Sequence, residues 1–161
     1  MSTSSPISTL PEELVDRICH FLSPTTSLHA LCLVNKDFNR IATAHLYTTI
    51  DLSVHNFKFL RPLTLMLWTS PKHRALVRSI SVRRAYGGDL VPWPKYALLD
   101  ELIEQQVQLY VREGEMETWV AQVRDGMDPL PIASLLLRSL PNVTTMGFDG
   151  FDLVDPKARR R

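Results

Sequence analysis

Histidine and cysteine are the residue types of this 161-residue chain that most directly suggest metal or nucleophilic chemistry. His29 and Cys32 lie three residues apart, a spacing that would place both on one face of a helix. A zinc site needs further ligands, and the sequence places none beside this pair. The other histidines lack the paired spacing of a metal-binding helix: His20, His45, His55 and His73. We therefore expect no metal and no cofactor.

The two cysteines, Cys19 and Cys32, lie within apolar stretches of the sequence. Burial raises the pKa of a thiol and leaves it unreactive, so we expect neither to act as a nucleophile or to form a thioester. A disulfide is not expected either, because reducing compartments keep thiols free. The sequence has no glycine-rich phosphate loop and no Gly-x-Ser-x-Gly turn. These observations predict a protein that is not an enzyme.

The overall composition is typical of a chain with a packed core, with 45% hydrophobic and 22% charged residues. No apolar run approaches the ~20 residues of a membrane span. Residues 1–9 are rich in serine and threonine and lack the features of a targeting peptide, so we expect a disordered N-terminus. An intracellular protein, cytoplasmic or nuclear, follows from this interpretation.

The net charge is +1, but the charged side chains are distributed unevenly along the chain. Residues 51–96 carry eight basic and two acidic side chains, whereas residues 97–161 carry seven basic and eleven acidic ones. A basic stretch could attract nucleic acid or an acidic partner. Its charges are spread out and lack interleaved aromatic residues for stacking bases, so we favour a solvated surface and expect no nucleic-acid binding.

Three short helices are predicted near the start of the chain. Pro11-Glu12-Glu13 marks the start of the first, because proline lacks only a donor that the first turn leaves unpaired and carboxylates favour the positive end of the helix dipole. Its apolar residues lie at helical spacing on one stripe: Leu14, Ile18, Phe21 and Leu22.

The second helix is expected over residues 28–34, after a break at residues 23–27 that supplies capping hydroxyl groups. Asn35 can cap a third helix, whose apolar side chains also follow helical spacing: Phe38, Ile41, Ala42 and Leu46. Residues 48–52 are β-prone and predict an extended exit from the helices.

Further along the chain, residues 57–68 predict a helix broken at Pro62, and residues 76–82 alternate as in a strand. Three helical patterns follow between residues 99 and 136, and residues 143–148 are again β-prone. We expect the segments Val77–Val82 and Val143–Phe148 to pair. The predicted fold is mainly α: a three-helix module followed by a helical region with a small β element.

Residues 10–47 combine several short motifs in a fixed order: Leu10-Pro11-Glu12-Glu13-Leu14, Ile18, Phe21-Leu22, Ser23-Pro24, Leu31-Cys32-Leu33-Val34-Asn35-Lys36-Asp37-Phe38 and Leu46-Tyr47. In order, spacing and residue type they resemble the F-box, and the sequence after Tyr47 is similar to fungal F-box proteins in particular. Asn35 stands where the family often has serine, and Phe38 where it more often has tryptophan. Both replacements preserve the local role, since asparagine caps helices and phenylalanine fills a similar pocket.

The resemblance implies that the module binds the Skp-type adaptor of a cullin-RING ubiquitin ligase while the remaining chain selects a protein substrate. An F-box scaffold that acts in assembly or trafficking without substrate ubiquitination is the alternative. Small modules of this length usually need a metal, a disulfide or a partner to stay folded. This favours a bound partner, unless the downstream chain packs on these helices and covers them. The positions that match the adaptor-facing or supporting residues of the family are Leu10, Pro11, Leu14, Ile18, Leu22, Leu28, Leu31 and Val34.

The remaining chain contains two segments that resemble the strands of leucine-rich repeats, at residues 77–82 and 140–148. Their separation exceeds the usual repeat length, so a repeat-like region and an unrelated α+β region both stay open. The predicted organisation is a disordered segment at residues 1–9, an F-box at 10–47, a repeat-like or α+β substrate-binding region at 48–151 whose truncation stays open, and a polar, basic tail at 152–161.

Overall fold

The computed structural model describes residues 10–22, 25–52, 56–83, 90–125 and 128–149. The predicted disordered N-terminus and basic tail lie outside these residues. The chain divides into a first unit, Met1–Ile50, and a second unit, Asp51–Arg161. None of the described helices has the length and apolar character needed to cross a membrane.

The first unit contains helices α1 (Glu12–Phe21), α2 (Thr25–Cys32) and α3 (Lys36–Thr48). The cap predicted for α3 is confirmed, because the backbone N–H of Phe38 donates to Oδ1 of Asn35 over 2.8 Å. The predicted bounds of the second helix were wrong: α2 begins three residues before Leu28, and Leu33 and Val34 form a turn after it. The apolar pattern missed the first turn because Thr25-Thr26-Ser27 is polar.

The three helices of the first unit enclose one small core. Its buried side chains come from all three helices: Val15, Cys19, Leu28, Phe38, Ile41 and Ala42. Partly buried apolar side chains extend it: Leu22, Leu31, Cys32 and Leu46. An ion pair, Glu12–Arg40, and a hydrogen bond between Asp16 and His45 also join α1 to α3.

The second unit contains helices α4 (Leu60–Thr69), α5 (Pro71–Leu76), α6 (Leu99–Tyr110), α7 (Met116–Asp125) and α8 (Leu130–Ser139). Turns of 3₁₀ helix precede α4 at Phe57–Phe59 and α7 at Glu113–Glu115. The predicted break at Pro62 was wrong, since this residue lies in the first turn of α4. A backbone N–H at that position would have no partner within the helix, so proline is tolerated there.

The core of the second unit is formed by side chains that are almost completely buried: Leu60, Leu67, Val77, Ile80, Ile103, Val107, Val123, Ile132, Leu135 and Leu136. An aromatic contact adds to this core. The rings of Trp68 and Trp93 stack with their centroids 6.1 Å apart, and Nε1 of Trp93 donates to the carbonyl of Val123 over 3.2 Å. The extended Pro92–Pro94 segment is thereby held against α4 and α7.

Strands β1 (Thr49–Leu52), β2 (Ser79–Arg83) and β3 (Thr145–Asp149) form a sheet of order β1-β2-β3. Strand β2 pairs in parallel with β3, in a register that places Ser79 opposite Thr145 and Val82 opposite Phe148. The predicted pairing of these two segments is confirmed, as is the mainly helical fold with a small β element. The helices between β2 and β3 form the crossover that a parallel pair requires.

Candidate protein-binding surface on the first helix

Helix α1 presents apolar side chains in two directions. Val15 and Cys19 point into the core and are 4% and 1% exposed, whereas Leu14 and Ile18 are 48% and 44% exposed. Each set has helical spacing. The two sets point in different directions because neighbouring residues of a helix are rotated by about 100°. The core therefore uses only part of the apolar surface of α1.

The exposed apolar side chains of α1, together with Leu10 just before the helix, lie four, four and three residues apart. We call this set the α1 face; it consists of Leu10, Leu14, Ile18 and Phe21. Together with Arg17 and Leu22, it lines an open groove of about 440 Å³. Phe21 is 73% exposed, and contact of so large an apolar side chain with water is unfavourable.

A second exposed apolar site lies in the turn between α2 and α3. Leu33 and Val34 are 74% and 58% exposed. Their backbone N–H groups donate to the carbonyls of Ala30 and Leu31, which closes the turn and directs both side chains away from the core. This turn is therefore a second apolar element of the candidate surface.

The structure separates the eight predicted site residues into three groups. Leu28 is buried in the core and can only support a binding surface. Leu22 and Leu31 are partly buried against that core. The exposed group consists of Leu10, Pro11, Leu14, Ile18 and Val34.

Two exposed residues were missing from the predicted site. Phe21 belongs to the α1 face, and its spacing from Ile18 was the sequence signal that could have assigned it. Leu33 lies next to Val34 and is the more exposed of the two. The sequence pattern could not indicate whether Leu33 or Val34 is the more exposed, because both are apolar and both follow a short helix.

Polar contacts between α1 and α3 accompany the shared core and are consistent with the orientation of the α1 face. Nη1 of Arg40 donates to Oε1 of Glu12 over 2.8 Å, and Nη2 donates to the second carboxylate oxygen. This hydrogen bonding lowers the pKa of the Glu12 carboxyl and raises the pKa of the Arg40 guanidinium. Nε2 of His45 lies 2.8 Å from Oδ1 of Asp16, one helical turn further along.

The chemistry available at this surface is that of apolar contact. Burial raises the pKa of the Cys19 thiol, which keeps the thiol protonated and poorly nucleophilic. Cys19 and Cys32 are both free. Within the part of the chain that the structure describes, no three histidine, cysteine or acidic side chains lie close enough together to hold a metal ion.

Comparison with protein families agrees with this geometry. Residues 7–53 match the family model described as F-box-like. This segment is therefore similar to the F-box-like family. Its match includes α1, α2 and α3 with the whole α1 face, and it supports a role in binding the Skp-type adaptor of a cullin-RING ubiquitin ligase. Comparisons with curated proteins and with solved structures gave no match.

Proposed function

We propose that this chain is a substrate-recognition adaptor of a Skp–cullin–F-box type ubiquitin ligase. The observation that carries the proposal is the α1 face, an exposed apolar stripe within the F-box-like segment. Binding the Skp-type adaptor would cover these side chains. Completing the burial of half-exposed Leu14 and Ile18 would contribute about 1 kcal/mol each.

The adaptor surface in this proposal combines the α1 face with the turn after α2. Leu10, Leu14 and Ile18 supply apolar contact along the helix, and Val34 with its neighbour Leu33 supplies it at the turn. Pro11 starts α1 and sets the direction in which the chain enters it. The partly buried and buried residues Leu22, Leu31 and Leu28 support this surface from the core.

The second unit would hold the protein substrate, and the reaction would be accelerated by proximity to a ubiquitin-charged enzyme. A repeat-like interpretation of this unit is supported by the sequential order of the strands and the parallel pairing of β2 with β3. In this interpretation the chain supplies positioning and contributes no catalytic group.

The adaptor interaction can be tested by co-expressing the chain with a Skp-type adaptor and measuring co-purification. Leu14→Asp with Ile18→Asp should abolish binding, because both changes place a charge in the apolar contact. The control is Leu98→Asp with Leu109→Asp, which changes two leucines of the second unit that are more exposed, at 57% and 66%. Binding that survives the α1 double change, or is lost equally in the control, would remove the proposed surface.

Substrate delivery needs a separate experiment in cells. Proteins that co-purify with the wild-type chain should accumulate when the proteasome is inhibited, and should not accumulate when the Leu14→Asp, Ile18→Asp chain replaces it. Bound proteins whose amounts do not change on proteasome inhibition would instead favour an F-box scaffold that assembles proteins without their ubiquitination.

A further inference from the structure

We propose that the groove between α6 and α7 binds a basic protein segment carrying an apolar anchor side chain. This inference rests on the proposed function and names the class of substrate segment that the second unit would take. The groove has a volume of about 470 Å³ and lies wholly within the second unit. That volume is typical of a recognition site.

The floor of the groove is apolar. Met116 and Val120 lie four residues apart on α7 and are only partly buried, so their side chains still contact the groove. Ala121 is exposed beside them, and its small side chain leaves the space open. A floor of this kind favours an aliphatic side chain and gives a polar ligand little to bind.

The rim of the groove is acidic. Glu104 of α6 and Glu117 of α7 line it and are exposed. Arg124 also lines it, but Nε of Arg124 donates to Asp100 over 2.8 Å, and Nη2 lies 3.6 Å from Glu104. Arg124 is therefore paired, and it offsets part of the charge of Glu104. No ion pair in the described part of the chain involves Glu117, so Asp100, Glu104 and Glu117 together outnumber the one cation.

The surrounding sequence strengthens this potential. Residues 97–125 contain seven acidic and two basic side chains. A potential of this sign attracts lysine and arginine and repels phosphate, so it favours a basic protein segment over a nucleic acid or a nucleotide. The apolar floor then selects, among basic segments, those that carry an aliphatic side chain between their charges.

The test uses a short fluorescein-labelled peptide that carries one leucine between pairs of lysine and arginine. Its binding is measured to the full chain co-purified with a Skp-type adaptor. Two matched peptides replace either the basic residues with glutamate or the leucine with glycine. The basic, leucine-containing peptide should bind most tightly, and added salt should weaken it because the rim charges are exposed.

Variants of the chain test the site itself. Glu104→Lys with Glu117→Lys should weaken binding of the basic peptide by about tenfold or more, since the attraction between rim and peptide becomes repulsion. Asp37→Lys with Asp51→Lys makes the same change in net charge outside the groove lining and outside residues 97–125, and should have little effect. Ala121→Trp should block the groove while leaving the core untouched, because Ala121 is exposed.

Three results would overturn the inference: equal binding of the acidic peptide, equal weakening by the Asp37 and Asp51 control, or a groove that is closed by a second copy of the chain. The last would appear as self-association that Glu104→Lys with Glu117→Lys abolishes, because residues 51–96 of another copy are themselves basic. Co-purification of the adaptor is scored in every sample. Its loss in the wild type refutes the proposed function, whereas its retention without selective peptide binding refutes only the groove.

Discussion

The side-chain amide of Asn142 donates to the backbone carbonyl of Ala75 over 2.7 Å, a contact that spans 67 residues. Ala75 lies in the last turn of α5, where helix carbonyls have no partner within the helix. Asn142 lies three residues before β3. One side chain therefore caps a helix and positions the strand that follows Asn142.

This contact predicts that Asn142 stabilises the pairing of β2 with β3. Asn142→Ala should lower the free energy of unfolding by about 1 kcal/mol, because the Ala75 carbonyl loses its shorter hydrogen bond and keeps only the one from Nη1 of Arg78 at 3.3 Å. Asn142→Asp should cost more, since it sets an acceptor against that carbonyl. Urea denaturation of the full chain measures both, with the exposed Gln108→Ala as control. Equal stability of Asn142→Ala and the control would show that water replaces the amide without loss.

The two apolar sides of α1 predict opposite outcomes for neighbouring residues. Val15→Ala should destabilise the chain by about 2 kcal/mol because it opens a cavity in a small core. Leu14→Ala should change the unfolding free energy by less than about 0.5 kcal/mol, since Leu14 is half exposed. The same urea denaturation measures both. The reverse order of stabilities would mean that the core and the α1 face have been exchanged.

The Glu12–Arg40 pair predicts a contribution to stability that depends on pH. The pKa of Glu12 is lower in the folded chain than in the unfolded one, so the contribution is present above the unfolded pKa and is lost as the pH falls through the folded pKa. Glu12→Gln should therefore lower Tm slightly at neutral pH and have no effect in strong acid. In Arg40→Gln, NMR titration should find the Glu12 pKa closer to its ordinary value. A Tm difference that persists unchanged in acid would rule out this linkage.

The α1 face predicts that the isolated chain self-associates when no adaptor covers it. Sedimentation velocity should show larger species as concentration rises, and a Skp-type adaptor should convert them to a single complex. Leu14→Asp with Ile18→Asp should reduce the association, because charge replaces the exposed apolar contact. A chain that stays monomeric and highly stable without any partner would contradict this prediction.

The sequence was most informative where a local cause determined the structure. Pro11 with its following glutamates located the start of α1, and Asn35 located the start of α3, because capping depends on a few adjacent residues. The pairing of β2 with β3 was also predictable, since both segments are β-prone and, apart from residues 48–52, the remaining apolar patterns are helical. The parallel direction and the register depend on the packing of the intervening helices and did not follow from either strand alone.

Other features depend on contacts that no local pattern contains. Helix α5 was missed because it is short and has no buried residue, so it lacks an apolar period. The sequence could not say whether Leu14 or Val15 faces the core, because each belongs to a set with helical spacing. The α6–α7 groove was also missed: Met116 and Val120 predict a core-facing stripe, and only the packing of the two helices shows that the stripe is partly open.

The parallel pairing of β2 with β3 has a consequence for how the chain is synthesised. The contact from Thr144 to Arg78 spans 66 residues, whereas the helices of the first unit contact one another within a much shorter stretch. At a translation rate of about 5–20 residues per second, β2 leaves the ribosome roughly 3 to 13 seconds before β3. During that interval β2 has no β3 partner, while the F-box-like helices can already fold and meet a Skp-type adaptor. The order of synthesis thus allows the ligase-binding end to assemble while the proposed substrate-binding end is still incomplete.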